Sequence, residues 1–204
     1  WAENQPNAAF AGLAADGPNL EGKELRFGAT ATALWGSLTT QTSNGSVNGM
    51  HDSFSPLGGL STLLGMFINA TFGGVGVGLI NFLLFLLVAV FLGSLMVGRA
   101  PELYGRAIEA KEIKLLSIAL LIQPLVILGF TAATVAWPGL AHTSNPGFHG
   151  LTQVLYEYTS AFANNGSGFE GLGDNTVWWN VTCAVALVLG RFIPILAPLA
   201  IAAH

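Results

Sequence analysis

Two short stretches of this sequence could do chemistry. Thr42-Ser-Asn-Gly-Ser-Val-Asn-Gly49 recurs late in the chain as Ala163-Asn-Asn-Gly-Ser-Gly-Phe-Glu-Gly171, with Gly166 in the place of Gly45. On that alignment Asn44 meets Asn165, Ser46 meets Ser167, Leu34-Trp35 meets Leu155-Tyr156 and Phe27 meets Phe148. Glycine reaches backbone angles that a Cβ-bearing residue resists, and short polar neighbours hold such a bend without filling the space beside it. The bend can aim several backbone carbonyls in one direction. Carbonyls lining a watery path at membrane depth are what a dehydrated cation needs in place of its water shell. A single Asn-Gly-Ser is also an ordinary turn. Two copies in the same setting favour a paired site. Each copy follows a short helix-compatible segment, whose negative dipole end would face the cation.

The elements that position these bends follow from composition. Of the 204 residues 52% are hydrophobic and only 9% are charged, against about 25% charged in a soluble domain. The chain reads as an all-α membrane protein. No basic footprint for nucleic acid is present. The single Cys183 excludes an internal disulfide, and the four histidines are scattered, so no metal-ligand cluster is expected. An organic cofactor is not expected either. A membrane-embedded enzyme would need paired acid–base groups, and only Glu157 and Arg191 are candidates. No Asp-Lys-Thr-Gly phosphorylation motif occurs, so the chain itself should hydrolyse nothing.

Residues 1–27 are polar and read as an outer loop. Residues 28–42 are small and uncharged, and at about 1.5 Å per residue they can enter a bilayer core of roughly 30 Å but not cross it. Residues 57–97 are apolar but too long for one straight span. Glycines 73, 74, 76 and 78 fall within it and should break the helix, at about 1 kcal/mol each. Leu79 to Val97 then carries no charge and reads as a span. Residues 98–114 hold Arg99, Arg106, Lys111 and Lys114, four of the seven basic residues, which marks a cytoplasmic loop. Leu115 to Ala136 crosses outward and should kink at Pro124. Residues 150–162 form the second short helix, Trp178 and Trp179 read as interface anchors, and Asn180 to Ala203 crosses inward. Both bends then open to the outside. The expected divisions are 1–97, with the outer loop, first short helix, bend and broken helix; 98–114, the cytoplasmic loop; and 115–204, a second and more complete unit.

At this level of detail a family comes into view. Thr42 to Ser53, Phe72-Gly-Gly-Val-Gly-Val-Gly78, Gly98-Arg-Ala-Pro-Glu102, Asn145-Pro-Gly-Phe-His-Gly150, Asn164-Asn-Gly-Ser167 and Leu189-Gly-Arg-Phe192 resemble the potassium-binding A subunit of bacterial Kdp-type potassium-transporting ATPases. The resemblance covers essentially the whole chain. It implies a fold of four helix–pore helix–filter–helix repeats of potassium-channel-like architecture, of which this chain would carry the later part. It implies that the backbone carbonyls of Ser43, Asn44, Gly45, Asn164, Asn165 and Gly166 coordinate potassium, the transported ion. It implies that Gly73, Gly74, Gly76 and Gly78 form a broken-helix gate below the filter. Some members of the family carry an acidic residue where this chain has Asn69. Arg191 would lie below the filter and oppose straight-through leakage; the alternative is an arginine that snorkels or bonds free carbonyls near Pro194. The expected function is the ion-binding subunit of an ATP-driven uptake pump in the bacterial inner membrane. Its partners would be an ATP-hydrolysing P-type subunit, small accessory subunits and membrane lipid. The alternative is a stand-alone potassium channel or ion-coupled symporter of the same superfamily.

Overall fold

A computed structural model describes residues 1–5, 17–68, 76–137 and 139–203. Six helices dominate it: α1 Gly28–Gln41, α2 Pro56–Ile68, α3 Val77–Val97, α4 Ala110–Ala136, α5 Gly147–Ala163 and α6 Val177–Ala202. Three of them, α3, α4 and α6, have 21, 27 and 26 residues and are apolar enough to cross a membrane. At about 1.5 Å per residue each exceeds the roughly 30 Å hydrocarbon core. The helix α3 is apolar around its whole circumference, with Leu79, Phe82, Leu83 and Phe85 exposed and only Leu84 buried, the pattern of a helix solvated by lipid. By contrast α1 and α5, with 14 and 17 residues, are rich in Thr, Ser and Gly and stop short.

Of the apolar run from 57 to 97, the described residues fall in α2 and in α3 with Gly76 at its start. Helix α2 is described to Ile68, and α3 opens at Gly76, whose φ is +81°. Gly73, Gly74 and Asn69 lie outside the described residues. At its far end α3 closes on Gly98 at φ +71°, with the Arg99 amide bonded back to the Ser94 carbonyl at 3.0 Å, a left-handed cap that satisfies the last carbonyls.

The basic segment is more ordered than a plain loop. Glu102–Leu103 (β1) and Arg106–Ala107 (β2) pair antiparallel around Tyr104 and Gly105, both at positive φ, the geometry of a tight two-residue turn. Helix α4 begins at Ala110, inside the stretch read as loop, because Glu109 and Glu112 form a reciprocal capping box that satisfies two orphan amides.

The core lies where α4, α5 and α6 meet. Val126 and Ile127 from α4, Val154, Tyr158 and Phe162 from α5, and Trp179 and Ala186 from α6 are buried together. A second cluster joins α2 to α5 through Leu63, Met66, Tyr156, Ala163 and Phe169. Trp179 is therefore not an interface anchor. It is 1% exposed and stacks on Tyr158 at 4.9 Å between ring centroids. Trp178 donates its indole N–H to Thr134 Oγ1 at 2.9 Å and packs on the same cluster. The N-terminal segment is pinned by a buried ion pair, Lys23 Nζ to Glu3 Oε2 at 2.9 Å. The Ser55 amide donates to Glu3 Oε1 at 2.7 Å, which ties this segment to the start of α2.

Candidate functional site

The two bends share a backbone path and most of their internal bonds; the second adds one, Gly166 N–H to Ser160 Oγ at 3.1 Å. Helix α1 runs into Ser43 at φ +53° and α5 into Asn164 at +55°. The next amide reaches back five residues in each, Asn44 N–H to the Thr39 carbonyl at 3.1 Å and Asn165 N–H to the Ser160 carbonyl at 3.0 Å. Gly45 and Gly166 follow at +77° and +94°, where a Cβ would be strained. In each bend the asparagine side chain then fixes the exit. Ser46 N–H donates to Asn44 Oδ1 at 3.1 Å, and Ser167 N–H donates to Asn165 Oδ1 at 3.1 Å. Both serine hydroxyls donate to the same oxygens. The shared bonding explains why Asn-Gly-Ser recurs: Asn supplies an acceptor two residues upstream and Gly supplies the angle.

The bends also touch. A Cβ built on Gly45 would collide with the carbonyl oxygen of Asn165, so the Asn165 carbonyl is turned onto the first bend. The side chain of Asn165 crosses as well, donating from Nδ2 to the Thr39 carbonyl at 2.9 Å. The six residues expected to bind an ion, Ser43 to Gly45 and Asn164 to Gly166, thus come together from opposite ends of the chain.

A buried chain of hydrogen bonds stands behind the second bend. His51 Nδ1 pairs with the Tyr156 hydroxyl at 2.9 Å, and that hydroxyl pairs with Ser167 Oγ at 3.0 Å. Burial holds the His51 imidazole down to about 4. Trp35, the counterpart of Tyr156, braces the first bend by donating its indole N–H to the Ser46 carbonyl at 3.0 Å. Phe169 packs behind the second bend, stacked on Tyr156 at 4.2 Å. Val47 of the first bend is 46% exposed.

Asp52 fastens the segment after the first bend to α5. It accepts from His149 Nε2 at 2.8 Å, Gln153 Nε2 at 2.8 Å and Asn145 Nδ2 at 3.4 Å, and its amide donates to Glu170 at 3.1 Å. These long-range links carry no periodic signal, and sequence reasoning missed them. Glu157 shares a groove with Asp174, Asn164, Gly166 and Arg191 and lies behind Gly168.

Below the bends is a cavity of about 360 Å³, lined among others by Ser43, Asn81, Gln123, Asn164 and Arg191. Arg191 Nε donates to Asn164 Oδ1 at 2.8 Å. A Cβ on Gly190 would strike the Phe162 carbonyl, so the lack of a side chain there brings α6 and its arginine against the end of α5. Gly76 is described as the residue that opens α3, and Gly78 lies in that helix's first turn.

Fold and site define an all-α membrane protein in which short helices deliver two like, touching bends between long apolar helices. The sequence model for "Potassium-transporting ATPase A subunit" matches residues 1–204, and the chain belongs to that family. It is 54% identical over 202 residues to a protein of Gloeobacter violaceus, covering 99% of this chain and 35% of that one. It is 54% identical over 200 residues to one of Phocaeicola vulgatus, covering 94% and 35%. A Synechocystis relative is 58% identical over 181 residues, covering 88% and 32%. All three carry the name potassium-transporting ATPase potassium-binding subunit. The chain spans about a third of the length of the curated relatives it matches.

Proposed function

We propose that this chain carries part of a potassium filter and serves in the ion-binding subunit of an ATP-driven uptake pump. The backbone carbonyls of Ser43, Asn44, Gly45, Asn164, Asn165 and Gly166 replace the water shell of potassium arriving from outside. Gly73, Gly74, Gly76 and Gly78 gate the path beneath. Arg191 places a positive charge below the filter and opposes free leakage. The unit divides at residues 97 and 114 into two filter-bearing parts joined by a cytoplasmic loop. ATP hydrolysis falls to a P-type partner subunit, with small accessory subunits completing the complex in the bacterial inner membrane.

The observation that carries this reading is the direct contact of two bends with the same backbone path and shared internal bonds. A scaffold has no need of two such bends, each strained at glycine and set against the other. The test is Gly45→Asp and Gly166→Asp in the full-length protein. Each should raise the potassium concentration for half-maximal uptake at least about tenfold, about 1.4 kcal/mol, or erode selectivity over rubidium. Unchanged uptake kinetics in both variants would remove the filter assignment. A stand-alone channel or symporter of the same superfamily remains the second reading. It is separated by whether uptake into vesicles needs ATP and the partner subunits.

A further inference from the structure

We infer that Gln123 is a positioning residue for ion passage: its side-chain amide holds the end of α2 against the soft point of α4 and so fixes one wall of the cavity on the ion's path. The inference rests on the transport reading for its function and on α2 and α4 for its geometry. Gln123 stands at the midpoint of α4, between Leu120-Leu-Ile122 and Pro124, with Leu125-Val-Ile127 beyond. An amide side chain at that depth is expensive unless it finds a partner, and an apolar residue would sit there at less cost. Its Nε2 donates to the main-chain carbonyl of Phe67 at 3.2 Å, in the last described turn of α2. Other polar side chains of α4 are used differently. Ser117 Oγ donates to the Ile113 carbonyl of its own helix at 2.8 Å, and Thr134 pairs with Tyr158 of α5. Gln123 reaches across to α2.

Two features give this bond leverage. Pro124 has no N–H, so the Leu120 carbonyl lacks its helical partner and α4 bends there at low cost. A hydrogen bond from the neighbouring residue pins that joint. Phe67, in turn, stands at a junction. Its side chain packs against both core clusters, the one where α4, α5 and α6 meet and the one that joins α2 to α5. Ile68, Leu120 and Gln123 all line the cavity of about 360 Å³, beside Ile80 and Leu84 of α3. Apolar contacts of that kind have no preferred direction, so they let helices slide; a hydrogen bond fixes the register. Without it Phe67 stays packed but shifts relative to α4, and the cavity wall moves with it. The groups that would coordinate the ion are untouched, so the rate of passage should change and the affinity should not.

The test is ATP-driven potassium uptake into vesicles by the full-length protein in its complex, carrying Gln123→Met, which keeps the length of the side chain and removes the donor. The maximal rate should fall about 2- to 10-fold, with the half-saturating potassium concentration within about twofold of wild type. Gln123→His, whose Nε2–H stands at a similar reach, should recover most of the rate. Where Gln123→Met does not assemble, Gln123→Asn, with its amide one methylene short of the carbonyl, takes its place and is read in the same way. Three results would overturn the inference and leave the transport reading intact: a wild-type rate without the donor, a raised half-saturating concentration in place of a lowered rate, or a loss that Gln123→His does not restore. A wild-type complex that takes up no potassium with ATP would remove the transport reading, and this inference with it.

Discussion

Single residues at the two bends act through the angles and bonds their types permit. Ser43 and Asn164 accept left-handed backbone without being glycine, and Asn44 and Asn165 turn their side chains into acceptors for the next amide but one. His51 has a different role. It is 1% exposed and bonded to Tyr156, and burial holds its imidazole at about 4, below the usual value near 6.5. The unfolded chain takes up a proton at a pH where the folded one does not. His51 thus leaves stability intact above about pH 6.5 and costs stability as pH falls from there toward 4. His51→Gln should flatten that decline. The check is the thermal midpoint of the full-length protein between pH 7 and 4. Equal slopes for wild type and variant would mean that the histidine is not held neutral. The bends themselves were legible in the sequence, because Asn-Gly-Ser states a backbone requirement locally. The His51–Tyr156–Ser167 chain was not, because it joins residues that only the fold brings together. Trp179 misled for a related reason: a tryptophan beside a polar loop looks like an interface anchor, and nothing nearby reveals Tyr158 waiting to stack on it.

At the scale of elements, helix length sorts the roles. The spans α3, α4 and α6 hold the membrane, while α1 and α5 stop short and deliver the bends at their C-terminal ends, where the helix dipole favours a cation. These assignments were readable from glycine placement and from apolar runs without charge. The β1–β2 hairpin was not, since its strands are two residues each and its Tyr-Gly turn sits among charges. Close packing of α6 on α5 at Gly190 sets Arg191 beside Asn164, and this contact joins a charge to the second bend. Hydrogen bonds to charged groups contribute about 1.5–3 kcal/mol, though Arg191 is exposed in this chain and solvent screening lowers that figure. Arg191→Gln should lower ATP-driven potassium uptake about tenfold and raise ATP-independent leak. Arg191→Lys, which keeps the charge, should restore the block against leak. Vesicle flux with and without ATP reads both, and unchanged flux in Arg191→Gln would return the arginine to a structural role beside Pro194.

For the whole molecule, one unit of structure is used twice. The residues from 28 to 49 and those from 147 to 171 build a short helix and a bend by the same rules, and the second copy buries what the first leaves exposed. That asymmetry explains why Trp35, Leu34 and Val47 are exposed while Tyr156 and Phe169 are buried. The most direct measurement is the position of the ion in the full-length protein, from density compared in potassium and in rubidium, whose anomalous signal marks the site. The account predicts an ion held by main-chain carbonyls drawn from both the 43–45 and the 164–166 segments, above Arg191. An ion bound elsewhere, or ringed by side chains with these carbonyls turned away, would contradict it.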